Sequence, residues 1–309
     1  MRKTLLIAFL AACFAAAGFA AEKNGTIGVS LLAMSNPFFK DIADNMAAEA
    51  ARHGYEVVAV DGNFDVARQS NQVKDFIASQ YDCIVLSPCD SKAIGSVIKE
   101  ANDAGIPVFT VDIASMAENA KVIAHIATDN FAGGRVAADG MVAALGGKGK
   151  IGILGHPEVE SGLMRANGFK AQLKDLGKEK DIVIVAELPA LGSRERGFSA
   201  CQDMMQAHPD IDGIFCINDP TVLGALAALE GIGKADRVKL IGFDGMPEAK
   251  QAIKDGKLYG SSVQFPDRLG IKVVQAFINY MNGEEVPGVE LIGTELYTKA
   301  DADKDSSLK

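Results

Sequence analysis

The chain has 309 residues, of which 48% are hydrophobic and 23% are charged, and its formal net charge is −9. A chain of this length and composition is long enough for two domains with separate cores, and it is neither disordered nor fibrous. The acidic balance, without clusters of basic residues, argues against nucleic acid as a partner.

The N-terminal segment has the pattern of a secretory signal peptide. Met1-Arg2-Lys3 is followed by an apolar stretch that ends in the small-residue sequence Gly18-Phe19-Ala20. We therefore expect residues 1–20 to be removed on export. Leu10-Ala11-Ala12-Cys13 also resembles a lipoprotein box, which would leave a lipid-modified Cys13. The apolar stretch continues beyond Cys13, which favours ordinary cleavage. No later segment reaches the roughly 20 apolar residues that a membrane helix needs.

From Thr26 onward, short β-branched runs alternate with amphipathic segments of helical period, which predicts βαβ units around parallel sheets. In the first half, strands are predicted at residues 26–32, 56–60, 83–86, 107–111 and 122–127, and helices at residues 37–53, 66–79 and 91–104.

A Gly-rich break at residues 146–149 precedes a second series of elements with the same rhythm. Its strands are predicted at residues 151–154, 182–185, 213–217, 239–243 and 259–263. This restart predicts two similar α/β lobes and argues against the alternative of a single larger α/β enzyme domain. The polar tail at residues 301–309 is expected to be frayed.

The turn between the first predicted strand and the first predicted helix carries Asn36, Phe38 and Phe39. Pro37 suits the first position of that helix, and Asn36 suits its N-cap. In open α/β sheets the carboxyl ends of strands, next to helix N-termini, are where ligands bind. An aromatic ring can stack on the C–H face of a sugar, and an amide can bond its hydroxyls. The alternative is that the rings pack beneath the helix, and these residues alone leave the two interpretations even.

Polar side chains also follow several later strands. They are Asp112, Asn218, Asp219, Asp244 and Gln264, while Arg165 lies on the helix after the strand at residues 151–154. Carboxylates, amides and a guanidinium suit the recognition of neutral hydroxyl groups. Each Asp or Asn alone is more simply interpreted as a helix N-cap. Their recurrence at strand ends in both lobes favours a binding site.

Catalytic and metal-binding motifs are weak or missing. The chain has no nucleophile elbow, no phosphate-binding Gly-rich loop and no metalloprotease His pair, and its four His residues are scattered. We therefore predict a protein without a catalytic site, metal or cofactor, with His156 and Glu158 as a weak acid/base candidate. The four Cys residues after Cys13 are predicted to be buried free thiols, with Cys201 to Cys216 as the one pairing left open.

Several motifs together resemble the periplasmic sugar-binding proteins of the ribose-binding type, which serve ABC importers. These motifs are Asn36-Pro37-Phe38-Phe39, residues 124–130, Arg165 with Gly168-Phe169, Asn218-Asp219, residues 242–245 and residues 264–267. The resemblance covers about residues 26–299. It implies two doubly wound, parallel-sheet lobes of the periplasmic binding protein type I fold, joined by crossovers near Thr128, Gln264 and Gly293.

The resemblance also implies bounds for the lobes and a site between them. The N-terminal lobe would hold residues 21–128 and 265–293, and the C-terminal lobe residues 129–264 and 294–309. The polar contacts to the ligand would come from Asn36, Asp112, Arg165, Asn218, Asp244 and Gln264, and the apolar walls from Phe38, Phe39 and Phe243.

Two departures from the ribose pattern bear on the ligand. Ile113 stands where ribose binders carry an Arg, and no aromatic ring lies near Gly192, where they carry one. Both changes argue against ribose itself. We therefore expect a different monosaccharide or a related polyol, and the residues do not choose among them.

The implied function is that of an exported, periplasmic and monomeric solute-binding protein that delivers a sugar or polyol to a membrane ABC permease. One alternative is a sensor module that presents a signalling sugar to a membrane receptor such as a chemoreceptor. Another is the ligand-binding core of a sugar-responsive repressor. A signal segment stands where such repressors carry a helix-turn-helix, which disfavours this last alternative.

Overall fold

The computed structural model describes residues 24–309, so the predicted signal peptide and Cys13 lie outside the described residues. The strands are β1 (Gly25–Leu31), β2 (Tyr55–Asp61), β3 (Cys83–Leu86), β4 (Val108–Val111), β5 (His125–Thr128), β6 (Gly149–Gly155), β7 (Ile182–Pro189), β8 (Gly213–Cys216), β9 (Lys239–Asp244), β10 (Gly260–Val263), β11 (Val289–Ile292) and β12 (Leu296–Thr298). The helices are α1 (Pro37–Arg52), α2 (Val66–Ala78), α3 (Gly95–Asp103), α4 (Asn130–Ala144), α5 (Glu160–Asp175), α6 (Arg194–Ala207), α7 (Asp219–Gly231), α8 (Pro247–Lys254), α9 (Pro266–Met281) and α10 (Lys299–Ala302).

These strands form two six-stranded sheets with the same layout. The first sheet has the order β11-β5-β4-β3-β1-β2 and is parallel throughout. The second has the order β12-β10-β9-β8-β6-β7, with an antiparallel pairing only between β12 and β10. In each sheet the strand order reverses beside its first strand, where doubly wound sheets bind ligands. The predicted fold of two doubly wound α/β lobes is confirmed.

The chain passes between the two lobes three times. It leaves the first sheet after β5, since α4 packs against α5, β9 and β10. It returns after β10, since α9 packs against α1, β4 and β5. The strand β11 then completes the first sheet, and β12 completes the second. Each lobe is therefore discontinuous in sequence.

Two helices that follow central strands begin at capped turns on the carboxyl edge of their sheet. Asn36 Oδ1 accepts a hydrogen bond from the Phe38 N–H at 3.0 Å, and Pro37 is the first residue of α1. Asn218 Oδ1 accepts a hydrogen bond from the Thr221 N–H at 3.0 Å at the start of α7. A capping side chain satisfies a backbone N–H that the helix itself leaves free. The chemistry that starts these helices therefore also places polar side chains on the edges where the lobes meet.

The cysteines after residue 24 are buried and free. Cys201 and Cys216 lie in the same apolar cluster of the second lobe, and Cys201 Sγ donates to the Ala225 carbonyl at 3.6 Å. The prediction of buried free thiols is confirmed, and the Cys201 to Cys216 pairing is not formed. The core of a lobe this large does not depend on a disulfide for its stability.

The C-terminal tail is docked on the second lobe. Ala302 is fully buried, and Leu308 packs against the second-lobe core. The Lys309 N–H donates to Gln251 Oε1 at 3.0 Å. The prediction of a frayed tail is therefore wrong. Its anchors are one small side chain, one Leu and backbone hydrogen bonds, which the polar composition of the segment does not reveal.

Candidate ligand-binding site

The carboxyl edges of the two sheets face each other across a small cavity of about 30 Å³. The cavity is lined by Leu32, Asn36, Phe38, Phe39, Phe64, Asp112, Ile113, His156, Val159, Ser161, Arg165, Gly192, Ile217, Asn218, Asp244 and Gln264. The structure thus brings together eight of the nine binding residues that were expected from the sequence.

Arg165 occupies the centre of the site and is only 4% exposed. Its Nε donates to Asn130 Oδ1 and its Nη1 donates to the Ile217 carbonyl, both at 2.8 Å. Nη1 also lies 3.5 Å from Asp244 Oδ1, and Nη2 lies 4.0 Å from Asp112 Oδ1. Neutral acceptors therefore fix the guanidinium, and carboxylates from both lobes share its charge.

Phe243 is the expected wall residue that does not line the cavity. Its ring is fully buried, and Arg165 Cζ lies 3.8 Å from the ring centroid. A methyl group at Gly133 would come within 2.5 Å of Phe243 Cζ, so α4 packs tightly against the edge of the ring. Phe243 and Asp244 are adjacent at the end of β9, and adjacent strand residues point to opposite sides of the sheet. The ring therefore supports the guanidinium through a cation–π contact instead of forming a wall.

Asp244 is held in a backbone conformation that residues other than Gly rarely adopt, with φ of 122°. Its Oδ1 accepts from Gln264 Nε2 at 2.7 Å, and its Oδ2 accepts from the Asp219 N–H at 3.3 Å. The Asp219 carboxylate in turn accepts from the Met246 N–H at 2.7 Å and the Ser261 hydroxyl at 2.8 Å. Asp219 thus fastens the turn that carries Asp244, a supporting role that sequence reasoning missed.

The carboxylates of Asp244 and Asp219 both bind a proton more readily than a carboxylate in water does. Burial raises the pKa of Asp244 to about 6, although Arg165 opposes the shift. Burial and the nearby charge of Asp244 raise the pKa of Asp219 well above its usual value. The cost of burying a negative charge explains both directions, and repulsion from Asp244 adds to the shift of Asp219.

Asp112 follows β4 directly, is 3% exposed and has a φ of 64°. Its Oδ1 is buried and has no hydrogen-bond partner among residues 24–309. Burial raises the pKa of Asp112 to about 7, while Arg165 opposes the shift and Asp244 and Glu160 add to it. Asp112 therefore presents the cavity with an acceptor that lacks a donor.

The sequence left open whether the segment with Asn36, Phe38 and Phe39 contacts a ligand or packs beneath α1. The structure places these residues so that they can do both. Both rings line the cavity and also belong to the first-lobe core, and each is 4% exposed. They pack edge to face with centroids 5.4 Å apart. Asn36 uses Oδ1 as the cap of α1, while Nδ2 has no hydrogen-bond partner within the described part of the chain. Its amide nitrogen can therefore donate to a ligand without loss of the cap.

The structure has its two lobes in contact around the cavity. The Ser91 N–H donates to the Glu158 carbonyl at 3.0 Å, and the Glu160 N–H donates to Ser91 Oγ at 2.9 Å. Val159, between these two residues, packs into the hydrophobic core cluster of the first lobe. The loop before α5 thus bonds the second lobe to the first beside the ligand cavity.

A family model described as a periplasmic binding protein domain matches residues 27–285. The chain belongs to this family. This periplasmic binding protein is 33% identical over 301 residues to the ribose import binding protein of Escherichia coli K12, with 97% of this chain and 99% of that protein covered. It is 30% identical over 294 residues to the D-apiose import binding protein of Paraburkholderia graminis, with 94% and 92% covered. The family resemblance that was predicted from the motifs is confirmed.

A solved structure shows the same architecture. It is an ABC transporter solute-binding protein from Actinobacillus succinogenes with bound D-allose, and it matches this chain with a TM-score of 0.82 at 27% identity. The match covers 91% of this chain and 100% of the other.

The imidazole of His156 lines the cavity. The sequence had suggested it only as one member of a weak acid/base pair. Its Nε2 lies 3.8 Å from Glu158 Oε2, beyond hydrogen-bond distance. Burial, together with the charge of Arg165, lowers the pKa of His156 to about 4. A methyl group at Gly192 would come within 3.1 Å of His156 Nδ1. In this binding protein, the neutral imidazole therefore occupies the space that a side chain at Gly192 would need.

Phe64 is a second lining ring that sequence reasoning missed. It lies three residues after the end of β2, has a φ of 58° and is 38% exposed. The rule that ligands bind at carboxyl ends of strands applies to Phe64 as it does to Asp112. That rule could have found Phe64, because an exposed aromatic residue at such a strand end is a typical ligand contact.

No group of three or more His, Cys, Asp or Glu side chains among residues 24–309 is arranged to hold a metal ion. No helix within that part of the chain is long and apolar enough to cross a membrane.

Proposed function

We propose that the chain is an exported solute-binding protein that captures a monosaccharide or related polyol between its lobes and delivers it to an ABC importer. The cavity carries the proposal, because carboxylates, a guanidinium and amides from both lobes converge there beside aromatic rings. The relatives named for ribose and D-apiose import, and the structural neighbour with bound D-allose, support this ligand class.

The polar groups of the cavity suit a ligand with several hydroxyl groups. Asp112 Oδ1 and Gln264 Oε1 are buried acceptors without partners in the described structure. Asn36 Nδ2 is a donor, and it belongs to the same side-chain amide whose Oδ1 caps α1. A hydroxyl group both donates and accepts, so neighbouring hydroxyls can satisfy both kinds of group. A solute that leaves these buried groups unpaired is rejected by about 1–3 kcal/mol per group.

Closure of the lobes supplies the mechanism of capture. The ligand contacts both lobes only when they are closed, so its binding free energy shifts the equilibrium toward the closed form. The hinges are Thr128, Gln264 and Gly293, where the chain passes between the sheets, and they absorb the backbone change. The permease then recognises the closed form.

The organisation of the whole chain follows from the same proposal. Residues 1–20 are the cleaved signal peptide, which directs the protein to the periplasm without a lipid at Cys13. The N-terminal lobe holds residues 21–128 and 265–293, and the C-terminal lobe holds residues 129–264 and 294–309. The protein acts as a monomer and releases its ligand chemically unchanged, as a transport protein does and an enzyme does not.

A calorimetric and thermal-shift screen over pentoses, hexoses, deoxysugars and polyols tests the proposal. A ligand at 100 times its dissociation constant adds about 2.7 kcal/mol to the free energy of unfolding. Asp244→Asn removes a charge-assisted partner and should weaken binding by about 2–5 kcal/mol. The matched control is Asp175→Asn, which removes an exposed carboxylate that is paired with Arg135 at 2.7 Å. A screen without a ligand, or equal loss in both variants, contradicts the proposal.

A further inference from the structure

The ionisable side chains that line the cavity do not balance in charge. They are two carboxylates, Asp112 and Asp244, one guanidinium, Arg165, and the imidazole of His156. Because burial lowers the pKa of His156 to about 4, the imidazole is neutral at neutral pH. When both carboxylates are ionised, the lining therefore carries one more negative than positive charge.

This excess charge is located at Asp112. Arg165 lies 3.5 Å from Asp244 but 4.0 Å from Asp112, and Gln264 donates a further hydrogen bond to Asp244 alone. Asp112 Oδ1 has no hydrogen-bond partner in the described residues, and the adjacent Ile113 adds only apolar surface. A buried carboxylate without a donor or a cation is costly.

The other charged groups that face Asp112 do not supply the missing positive charge. Asp244 and Glu160 both raise the pKa of Asp112, so each adds negative potential at this carboxylate. Glu160 lies at the start of α5, and burial raises its own pKa as well. Arg165 is therefore the only cation near Asp112 among the described residues that act on it.

Aromatic side chains surround the same space. Phe38, Phe39 and Phe64 line the cavity together with Asp112. The face of an aromatic ring carries partial negative charge and attracts cations, more strongly where water is excluded. Rings beside an unpaired carboxylate form an environment that suits a cationic group on the ligand.

We propose that the ligand is an amino sugar or amino polyol whose ammonium group binds Asp112. This inference rests on the proposed function and narrows its ligand class to members that carry an amine. A neutral hydroxyl can donate to Asp112, but it leaves the excess charge unbalanced. An ammonium group donates a hydrogen bond and balances the charge in the same contact, and such charge-assisted bonds are about twice as strong as neutral ones.

Matched pairs of ligands that differ only in carrying an amine or a hydroxyl group test the inference. The probes are D-glucosamine, D-galactosamine, D-mannosamine and D-glucamine, each titrated by calorimetry beside its hydroxyl counterpart D-glucose, D-galactose, D-mannose or D-glucitol. At about pH 7, at least one amine should bind at least about tenfold more tightly than its counterpart, as expected for a charge-assisted bond in place of a neutral one.

The pH dependence of the wild-type protein gives a second readout. The ammonium needs ionised Asp112, whose pKa burial raises to about 7. Affinity for the amine should therefore fall by about tenfold per pH unit below this pKa, because a proton competes with the ligand. The affinity of the hydroxyl counterpart should not show this fall.

Two variants locate the effect at Asp112. Asp112→Asn keeps the shape of the side chain and suits the left-handed φ of 64°, which Asn tolerates. It should remove the difference in affinity between the amine and its hydroxyl counterpart, together with the fall at low pH. Ile113→Arg supplies a guanidinium beside Asp112 and should likewise abolish the preference. Asp175→Asn on the surface should leave it intact.

The outcomes separate this inference from the proposed function. Binding of neutral sugars or polyols with no preference for their amines overturns the inference and leaves the proposed function standing. A preference for the amine that survives in Asp112→Asn also overturns it, since the ammonium then lies elsewhere. If neither member of any pair binds, and the wider screen finds no ligand, the proposed function itself fails.

Discussion

The two faces of the cavity differ in how completely their polar groups are paired. On the second-lobe face, Arg165 donates two hydrogen bonds and Asp244 accepts two, with Asp219 fastening the turn behind. On the first-lobe face, Asp112 Oδ1 and Asn36 Nδ2 have no partner in the described structure. Apart from Gln264 Oε1, which also has no partner in the described structure, the second-lobe face therefore has its binding geometry before a ligand arrives. The first-lobe face obtains its partners from the ligand, so it is where the identity of the ligand is decided.

Removal of Arg165 is expected to have the largest effect on stability and binding, because it disrupts the pairing on the second-lobe face. Arg165→Ala leaves Asp244 and Asp112 buried without their shared cation, and breaking such a pair costs about 3–5 kcal/mol. Sugar binding should also be lost. The measurement is urea unfolding of the ligand-free protein, followed by calorimetry.

The control for this variant is Arg135→Ala, which removes a partly exposed guanidinium that is paired with Asp175. Exposed pairs contribute about 0–1 kcal/mol. Equal stability of the two variants would show that the second-lobe face is not organised around Arg165.

Asp112→Asn should have the opposite effect on stability, and one that depends on pH. The pKa of Asp112 is raised by burial to about 7 in the folded state, against about 3.9 in an unfolded chain. Between these values the folded state binds more protons, so ionisation of Asp112 destabilises the wild type progressively as the pH rises. The variant should equal the wild type near pH 4 and exceed it by about 4 kcal/mol near pH 8.

Other buried groups do not obscure this comparison. His125 and His156 each have a pKa that burial lowers to about 4, so they stabilise the folded state as the pH rises toward 6.5. Both are present in the two proteins, and their contribution cancels in the difference. A difference in unfolding free energy that is the same at every pH would contradict an ionised, unpaired Asp112.

Ser91→Ala is expected to have the smallest effect and tests the contact between the faces. The variant loses the hydrogen bond from the Glu160 N–H to Ser91 Oγ but keeps the backbone bond to Glu158. One neutral hydrogen bond contributes about 1 kcal/mol, so the closed form and the ligand affinity should each decrease about fivefold. Small-angle scattering and calorimetry measure the two quantities. Ser96→Ala, on the exposed side of α3, is the control, and an unchanged affinity in Ser91→Ala would show that this contact does not set closure.

The sequence predicted the repeating architecture well, because the alternation of strands and helices repeats in both halves. It did not reveal β11 and β12, which are four and three residues long and gain their stability from pairing with β5 and β10. The helix predicted from residue 91 begins at Gly95, because Asp90 Oδ1 binds the N–H groups of Lys92 and Ala93 in a preceding turn.

Site residues were predicted where strand ends coincide with polar or aromatic side chains. Phe243 met that pattern but lies on the other side of β9, behind Arg165. Phe64 and His156 were missed as lining residues, although they lie after β2 and β6. The direction of a side chain at a strand end depends on the packing of the opposite layer, and the sequence of one loop does not contain that information.

The sequence by itself determined the two-lobed fold, the helix caps and most of the residues that meet in the cavity, because these depend on local periodicity and on the rule for strand ends. The tertiary structure alone decided how their charges pair. Arg165 lies nearer to Asp244 than to Asp112, and Asp112 is left without a donor. Electrostatic energy in a buried site changes steeply with distances of a few tenths of an ångström, and only the packing of both lobes sets those distances.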